Sequence, residues 1–268
     1  MQSYSRRQLK QDKFVETTEK ALHWSDEHRN TLIVALIVVI IAVGGYVGYT
    51  AWIAGQEDKA SLAFGNAVRT YTSAIRPAGE AVQPDGPTKT FASASERSTA
   101  AMNEFQQVAD KYPQTRNGHM ARYLAGVAAL DKGDTSAAES NLKRAADTDK
   151  DTSALAKFAL ADLYRSQGKT DEAAKLYREL ISADRAVVGK SQAQLALADM
   201  YEAKNPAEAV KVYEEIVKDE QAKVKEELKK QPAPKATPGQ PAPPEPKTQL
   251  QQQAEAKIQQ LKAAANKK

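Results

Sequence analysis

Chemistry on metals, thiols or acyl groups needs a small set of side chains, and this sequence is short of most of them. It has no cysteine and three histidines, His23, His28 and His119. Disulfides, thiolate metal sites and cysteine nucleophiles are thereby excluded. His23 and His28 lie five residues apart, a poor helical spacing for sharing one metal, and His119 is remote from both. They read as solvated or interfacial side chains, not as ligands. There is no GxSxG, no HExxH and no glycine-rich phosphate loop. Adjacent acids such as Glu214 and Glu215 point to different helix faces. The expectation is a protein that is not an enzyme, with no catalytic residue, no cofactor and no metal. Two carboxylates keep their interest, Asp162 and Asp199, because they hold equivalent places in a repeated pattern. They are either structural or surface acids, or contacts to a ligand.

The repeat that places them is one of helices in pairs. A first helix reads RYLAGVAAL, then ALAKFALADLY, then QAQLALADMY, with Gly126, Ala161 and Ala198 at one position, 35 and 37 residues apart. Turns follow at Lys132-Gly133-Asp134, Gln167-Gly168-Lys169 and Lys204-Asn205-Pro206. Partner helices then read AAESNLKRA, AAKLYREL and EAVKVYEEI. In these, Ala138, Ala173 and Ala209 are each followed four residues later by Leu142, Tyr177 and Tyr213. Small residues on one helix admit the large side chain of its neighbour, so the two nest at close range. One such hairpin cannot bury both of its faces, so hairpins stack into a superhelix. One residue fewer separates Ala198 from Ala209, which predicts a tighter third turn.

This pattern resembles the tetratricopeptide repeat, a helical hairpin of about 34 residues. Residues 121–217 fit it in three units. Residues 58–113 fit only in their second helix, expected from about residue 92 to 112, and the loop at 76–90 departs from the family spacing. The resemblance implies a concave groove lined by Met120, Tyr123, Val127, Leu130, Leu155, Phe158, Asp162, Arg165, Leu195 and Asp199. That groove would be apolar with a few charges, suited either to an amphipathic helix or an extended apolar peptide, or to packing of some of its apolar residues on the chain's own terminal helix. The carboxylate clamp of chaperone adaptors needs Lys and Asn four apart on the first helix. Here those places hold Tyr123 and Val127, Phe158 and Asp162, Leu195 and Asp199, which disfavours that mode.

Ahead of the repeats, residues 32–53 read LIVALIVVIIAVGGYVGYTAWI with no charge. A helix of that length matches a bilayer core of roughly 30 Å. Lys10, Lys13, Lys20 and Arg29 precede it, while only Lys59 and Arg69 follow closely, so the amino end is expected to stay cytoplasmic. A cleaved signal is the rival reading, but the apolar run exceeds the usual 7–15 residues. Trp24 on one side and Tyr46, Tyr49 and Trp52 on the other suit the two interfaces. Gly44 and Gly48 form a GxxxG pair, which suits homodimerisation or docking on another membrane protein; glycine is also simply common in membrane helices. A helix is expected over residues 10–22, and an amphipathic one from Ala60 to Ile75, ended by Pro77.

Residues 218–268 hold 11 Lys against six acidic residues, which leaves 27 basic and 28 acidic residues in the rest. The formal charge of +4 therefore belongs to a tail, not to a folded face that could track nucleic-acid phosphates. The charged run after Val217 reads as a continuation of the last helix. Seven of the 12 prolines fall in residues 232–246, a polyproline-like spacer or a ligand for a proline-binding domain. Leu250, Ala254, Ile258 and Leu261 share one side of a terminal helix that could cap the solenoid or grip a partner.

The expected architecture is all-α, a single N-terminal transmembrane helix followed by a tetratricopeptide-type helical-hairpin superhelix. Its parts are a cytoplasmic segment (1–30), a signal-anchor helix (31–54), a repeat domain (55–230), a proline-rich linker (231–247) and a terminal helix (248–268). The short amino segment, the span ending in GGYVGYTAW and the Ala-rich KASLAFGNAV together resemble the ancillary subunit family of the bacterial Sec translocon. That resemblance implies an inner-membrane protein with its bulk in the periplasm. Its partners would be translocon subunits, periplasmic chaperones or exported chains. The regular repeats also resemble periplasmic tetratricopeptide proteins of envelope assembly, so a scaffold for cell-wall or outer-membrane assembly is the alternative.

Overall fold

The computed structural model describes residues 28–77, 89–183, 187–230 and 246–266. Nine helices occur among them, and the architecture is the expected all-α one. The helix expected at 10–22 and most of the proline-rich linker lie outside the described residues. The chain divides into two compact units, Met1–Asp58 and Lys59–Lys268.

The first helix, α1, runs Arg29–Tyr71 and takes in both the apolar run and the start of the expected amphipathic helix. Neither proline nor a turn signal interrupts it, so its hydrogen-bond ladder continues. In the first unit its apolar side chains lie open, Val34, Leu36 and Ile41 among them at 60%, 60% and 68% exposure. By length and composition this helix can cross a membrane.

The second unit begins with the last residues of α1. That helix ends at Tyr71, before the expected Pro77, where a side chain takes over one of its final carbonyls. The Thr72 amide still reaches Val68 O at 2.9 Å, but Ser73 Oγ donates to Arg69 O at 2.7 Å while the Ser73 amide turns to Thr70 O at 3.2 Å. Two residues each of β1 (Ala74–Ile75) and β2 (Thr90–Phe91) then pair in parallel, Ala74 with Thr90 and Ile75 with Phe91. This small pairing stands at the two ends of the expected loop.

Seven further helices build the solenoid. They are α2 (Ala94–Lys111), α3 (Arg116–Lys132), α4 (Thr135–Ala146), α5 (Lys150–Ser166), α6 (Thr170–Ala183), α7 (Lys190–Lys204) and α8 (Pro206–Lys230), followed by α9 (Gln249–Ala265). From α2 to α9 each helix packs on its neighbour in sequence. Side-chain caps start α2, α3, α4, α5 and α9 through Ser93, Thr115, Asp134, Asp149 and Thr248. Gly133 and Gly168 turn the first two hairpins in the left-handed conformation, at φ of 84° and 76°. The third turn is shorter: Asn205 alone separates α7 from α8, with Pro206 at the first helical position.

The core is built largely of alanine. Ala101, Ala121, Ala138, Ala161, Ala173, Ala198 and Ala209 are fully buried and surround Phe105, Leu142, Tyr177, Tyr213 and Ile216. At the nesting position of the first hairpin, Gly126 faces Leu142. A Cβ there would lie 2.7 Å from Leu142 Cγ. In the next two hairpins the same place holds Ala161 and Ala198, against tyrosines.

Candidate protein-binding groove

Each groove residue expected from the repeat pattern lies on the first helix of a hairpin. Met120, Tyr123, Val127 and Leu130 are on α3, Leu155, Phe158, Asp162 and Arg165 on α5, and Leu195 and Asp199 on α7. Their spacings of three and four place each set on one helix face, opposite the alanines of the core. None of them is fully buried; Arg165 and Asp199 are exposed and the rest half-buried. Phe158 is more embedded than a free contact residue. Its ring meets Tyr177 edge-on at 5.8 Å, and with Leu155 it packs on Ala154, Leu180, Val188 and Ala193.

The two aspartates are engaged from within their own hairpins. Tyr177 donates its hydroxyl to Asp162 Oδ1 at 2.6 Å, and Arg165 pairs with the same oxygen at 3.1 Å. Tyr213 donates to Asp199 Oδ1 at 2.8 Å and lies 2.7 Å from Glu202 Oε1. Burial, with the neighbouring carboxylates adding to it, holds both tyrosine hydroxyls far above their ordinary range. The first hairpin replaces both members of the pair with apolar residues, Val127 and Leu142. The acid and the tyrosine thus enter or leave together.

A related contact links α1 with α3. Tyr71 donates to Asp131 Oδ2 at 2.6 Å, and burial followed by the carboxylate pushes its hydroxyl up to about 12. The Tyr123 hydroxyl is raised by burial alone.

The terminal helix α9 packs on α8 and closes the third hairpin, placing Leu250, Ile258 and Leu261 against the core. Lys257 pairs with Glu202 at 2.8 Å, Lys262 with Glu214 at 2.8 Å, and Thr248 donates to Glu220 at 2.8 Å. Burial raises the Glu202 carboxyl, but Lys257 and Tyr213 outweigh it and hold it below the usual range. Nothing in the local sequence marks Glu202 or Lys257. The signal available was charge complementarity across 55 residues, which no local window contains.

His119 departs from its solvated reading. It is half-buried, with Nδ1 at 2.9 Å from Asp149 Oδ2 and Nε2 at 2.9 Å from the Pro113 carbonyl. It ties α3 to the residue that caps α5. His23 lies outside the described residues. Gly44 and Gly48 share a face of α1, and a Cβ on either would meet nothing within 4 Å among the described residues. Among those residues no three His, Cys, Asp or Glu side chains converge as a metal site.

Stacked helical hairpins with small-into-large nesting define a solenoid of the protein-interaction class, generally a non-catalytic scaffold. The chain belongs to the tetratricopeptide repeat-like domain family, whose profile matches residues 22–184; a second profile, tetratricopeptide repeat, matches residues 158–223. Similar solved structures include kinesin light chain nearly identical TPR-like repeats from Podosopora anserina, at 16% identity and a TM-score of 0.45, covering 64% of this chain and 81% of that one. A single-substitution form of the same repeats gives 14% identity and a TM-score of 0.46, over 64% and 80% of the two chains. No curated protein matches the chain.

Proposed function

We propose that this chain is a membrane-anchored scaffold whose repeats lie on the extracytoplasmic side of a bacterial inner membrane. There it binds proteins, in a role linked to Sec-dependent export or to chaperone hand-over. The observation that carries the anchor is the first-unit part of α1, where an uninterrupted apolar run leaves its side chains open, as in a helix that meets lipid. The excess of Lys and Arg before the span supports an amino end left inside. The repeat surface supports the binding role. It offers half-buried apolar side chains on α3, α5 and α7, with Asp162, Arg165 and Asp199 among them. On this reading Gly44 and Gly48 supply a docking face for a second membrane helix.

Crosslinking in intact membranes, followed by identification of the captured proteins, tests the assignment. Translocon subunits, periplasmic chaperones or exported chains are the expected catch. Envelope-assembly proteins in their place favour the alternative of a scaffold for cell-wall or outer-membrane assembly. A Phe158→Glu exchange is expected to cut capture several-fold. Because Phe158 also packs on Tyr177, its folding is checked by circular dichroism; undiminished capture by a folded variant refutes use of this face. Protease added to spheroplasts should digest the repeats, and their protection overturns the orientation.

A further inference from the structure

Within the second unit, the last turns of α1 and the outer side of α2 enclose a cleft of about 930 Å³. Its size is in the range of ligand-binding pockets. It is separate from the groove residues of α3, α5 and α7. Ala63, Val108 and Tyr112 contribute apolar surface, and the charged lining is three cations, Arg69, Lys89 and Lys111, against one acid, Glu104.

These cations are unequally engaged. Lys89 is paired with Glu104 at 3.0 Å. Among the described residues Arg69 donates to the Asn66 side chain alone, and Lys111 lies over the Tyr112 ring at 5.5 Å from its centroid. Neither has a carboxylate partner among the described residues. This sets the cleft apart from the inner helices, where Asp162, Asp199 and Glu202 are each bound to a tyrosine hydroxyl.

A second, independent observation concerns Thr70, which lines the cleft and is 1% exposed. A helical threonine can donate its hydroxyl proton to a carbonyl one turn back, as Thr99 does to Ser95 O at 2.8 Å. Among the described residues Thr70 makes no such bond. Its oxygen receives Lys89 Nζ at a long 3.4 Å, and its proton has no acceptor among the described residues. Buried polar groups are seldom left unspent, so the cleft offers a donor that calls for an acceptor.

A buried donor beside two uncompensated cations selects an anionic acceptor. The apolar surface and a volume well beyond one small anion select a chain that carries several. We propose that this cleft binds an acidic peptide segment, with a carboxylate received by the Thr70 hydroxyl and Arg69 and Lys111 as counter-charges. Arginine and lysine here act as donors that hold a carboxylate in charge-assisted hydrogen bonds.

The test is fluorescence anisotropy with the full chain in detergent and a labelled hexapeptide of alternating glutamate and alanine, blocked at both ends. Its glutamine–alanine counterpart and inorganic phosphate serve as competitors. The glutamate peptide is expected to bind, the glutamine peptide to compete at least tenfold less well, and phosphate to compete only weakly. Thr70→Val keeps the shape and removes the proton, and is expected to weaken binding about tenfold. Arg69→Gln with Lys111→Gln changes exposed residues only; it should weaken binding further and flatten its salt dependence. Lys225→Gln with Lys229→Gln, distant on α8, should leave affinity unchanged. The proposal is overturned if the Arg69/Lys111 variant binds as the parent does, or if phosphate displaces the peptide as well as the peptide displaces itself. It is also overturned if binding appears only after Glu80→Gln and Asp85→Asn, which would make the chain's own 78–88 segment the occupant.

Discussion

Substituting Gly126 by alanine tests the nesting that holds the first hairpin together. The added Cβ would lie 2.7 Å from Leu142 Cγ, 2.8 Å from Cδ2 and 3.3 Å from its backbone nitrogen. Carbon atoms rest at about 3.5–4.0 Å, so the overlap is close to 1 Å. Overpacking of this kind costs about 1–3 kcal/mol. Alanine regains about 1 kcal/mol over glycine within a helix, which leaves a net loss of about 0–2 kcal/mol. The single variant is therefore a weak discriminator, and a double-mutant cycle is the sharper experiment. Leu142→Ala alone should cost about 2–5 kcal/mol through the cavity it opens. In that background both of the closest atoms are gone, so Gly126→Ala should turn stabilising by about 1 kcal/mol. The coupling between the two sites is then the overpacking cost itself, about 1–3 kcal/mol. Denaturant unfolding of the full chain in detergent, followed by far-ultraviolet circular dichroism, measures all four corners. Coupling below about 0.5 kcal/mol, the usual additivity of independent sites, would refute the small-into-large account.

Two further outcomes follow from the same geometry. Gly118→Ala should disrupt the joint between α2 and α3 more severely than Gly126→Ala, since its Cβ would fall 1.8 Å from the Tyr112 carbonyl oxygen and 2.9 Å from the capping Thr115 hydroxyl. A thermal melt that matches the parent would contradict the register of that turn. Docking of α9 should also depend on pH. Glu202 and Glu220 are held low by Lys257, Tyr213, Lys223 and Thr248 against the opposing effect of burial. Their contribution is present above the ordinary glutamate range, about pH 4.3, and is lost as pH falls through the lowered values. Lys257 is raised by its bond to Glu202, so its share is full below the ordinary lysine value, about pH 10.4, and fades above it. Because the chain has no cysteine, labels on Glu215→Cys and Gln259→Cys can report the α8–α9 distance. The distance should hold from about pH 5 to 9 and lengthen in acid, and an acid-independent distance in a folded chain would exclude the ion-paired cap.

The hairpins and the apolar run were legible in the sequence because both are local. A helix repeats its face every three or four residues, and a bilayer asks only for an uncharged stretch of sufficient length. The recurrence of Gly126, Ala161 and Ala198 likewise named the nesting positions, and the pairing of Asp162 with Tyr177 is visible in the repeat once Val127 and Leu142 are set beside it. What those acids do was not visible. A carboxylate latched by a tyrosine and one offered to a ligand are the same letter, and only the crossing of α5 with α6 brings the hydroxyl to 2.6 Å. The end of α1 at Tyr71 turned on the Ser73 hydroxyl taking the Arg69 carbonyl in place of its own amide. The reach of Lys257 to Glu202 and the burial of Thr70 with an idle proton depend on segments meeting from a distance, and the close approach of the Tyr112 carbonyl to Gly118 depends on how the turn between α2 and α3 folds back. Periodicity is a property of the chain and survives in one dimension. Contact, burial and unspent hydrogen bonds are properties of packing, and tertiary structure alone decides them.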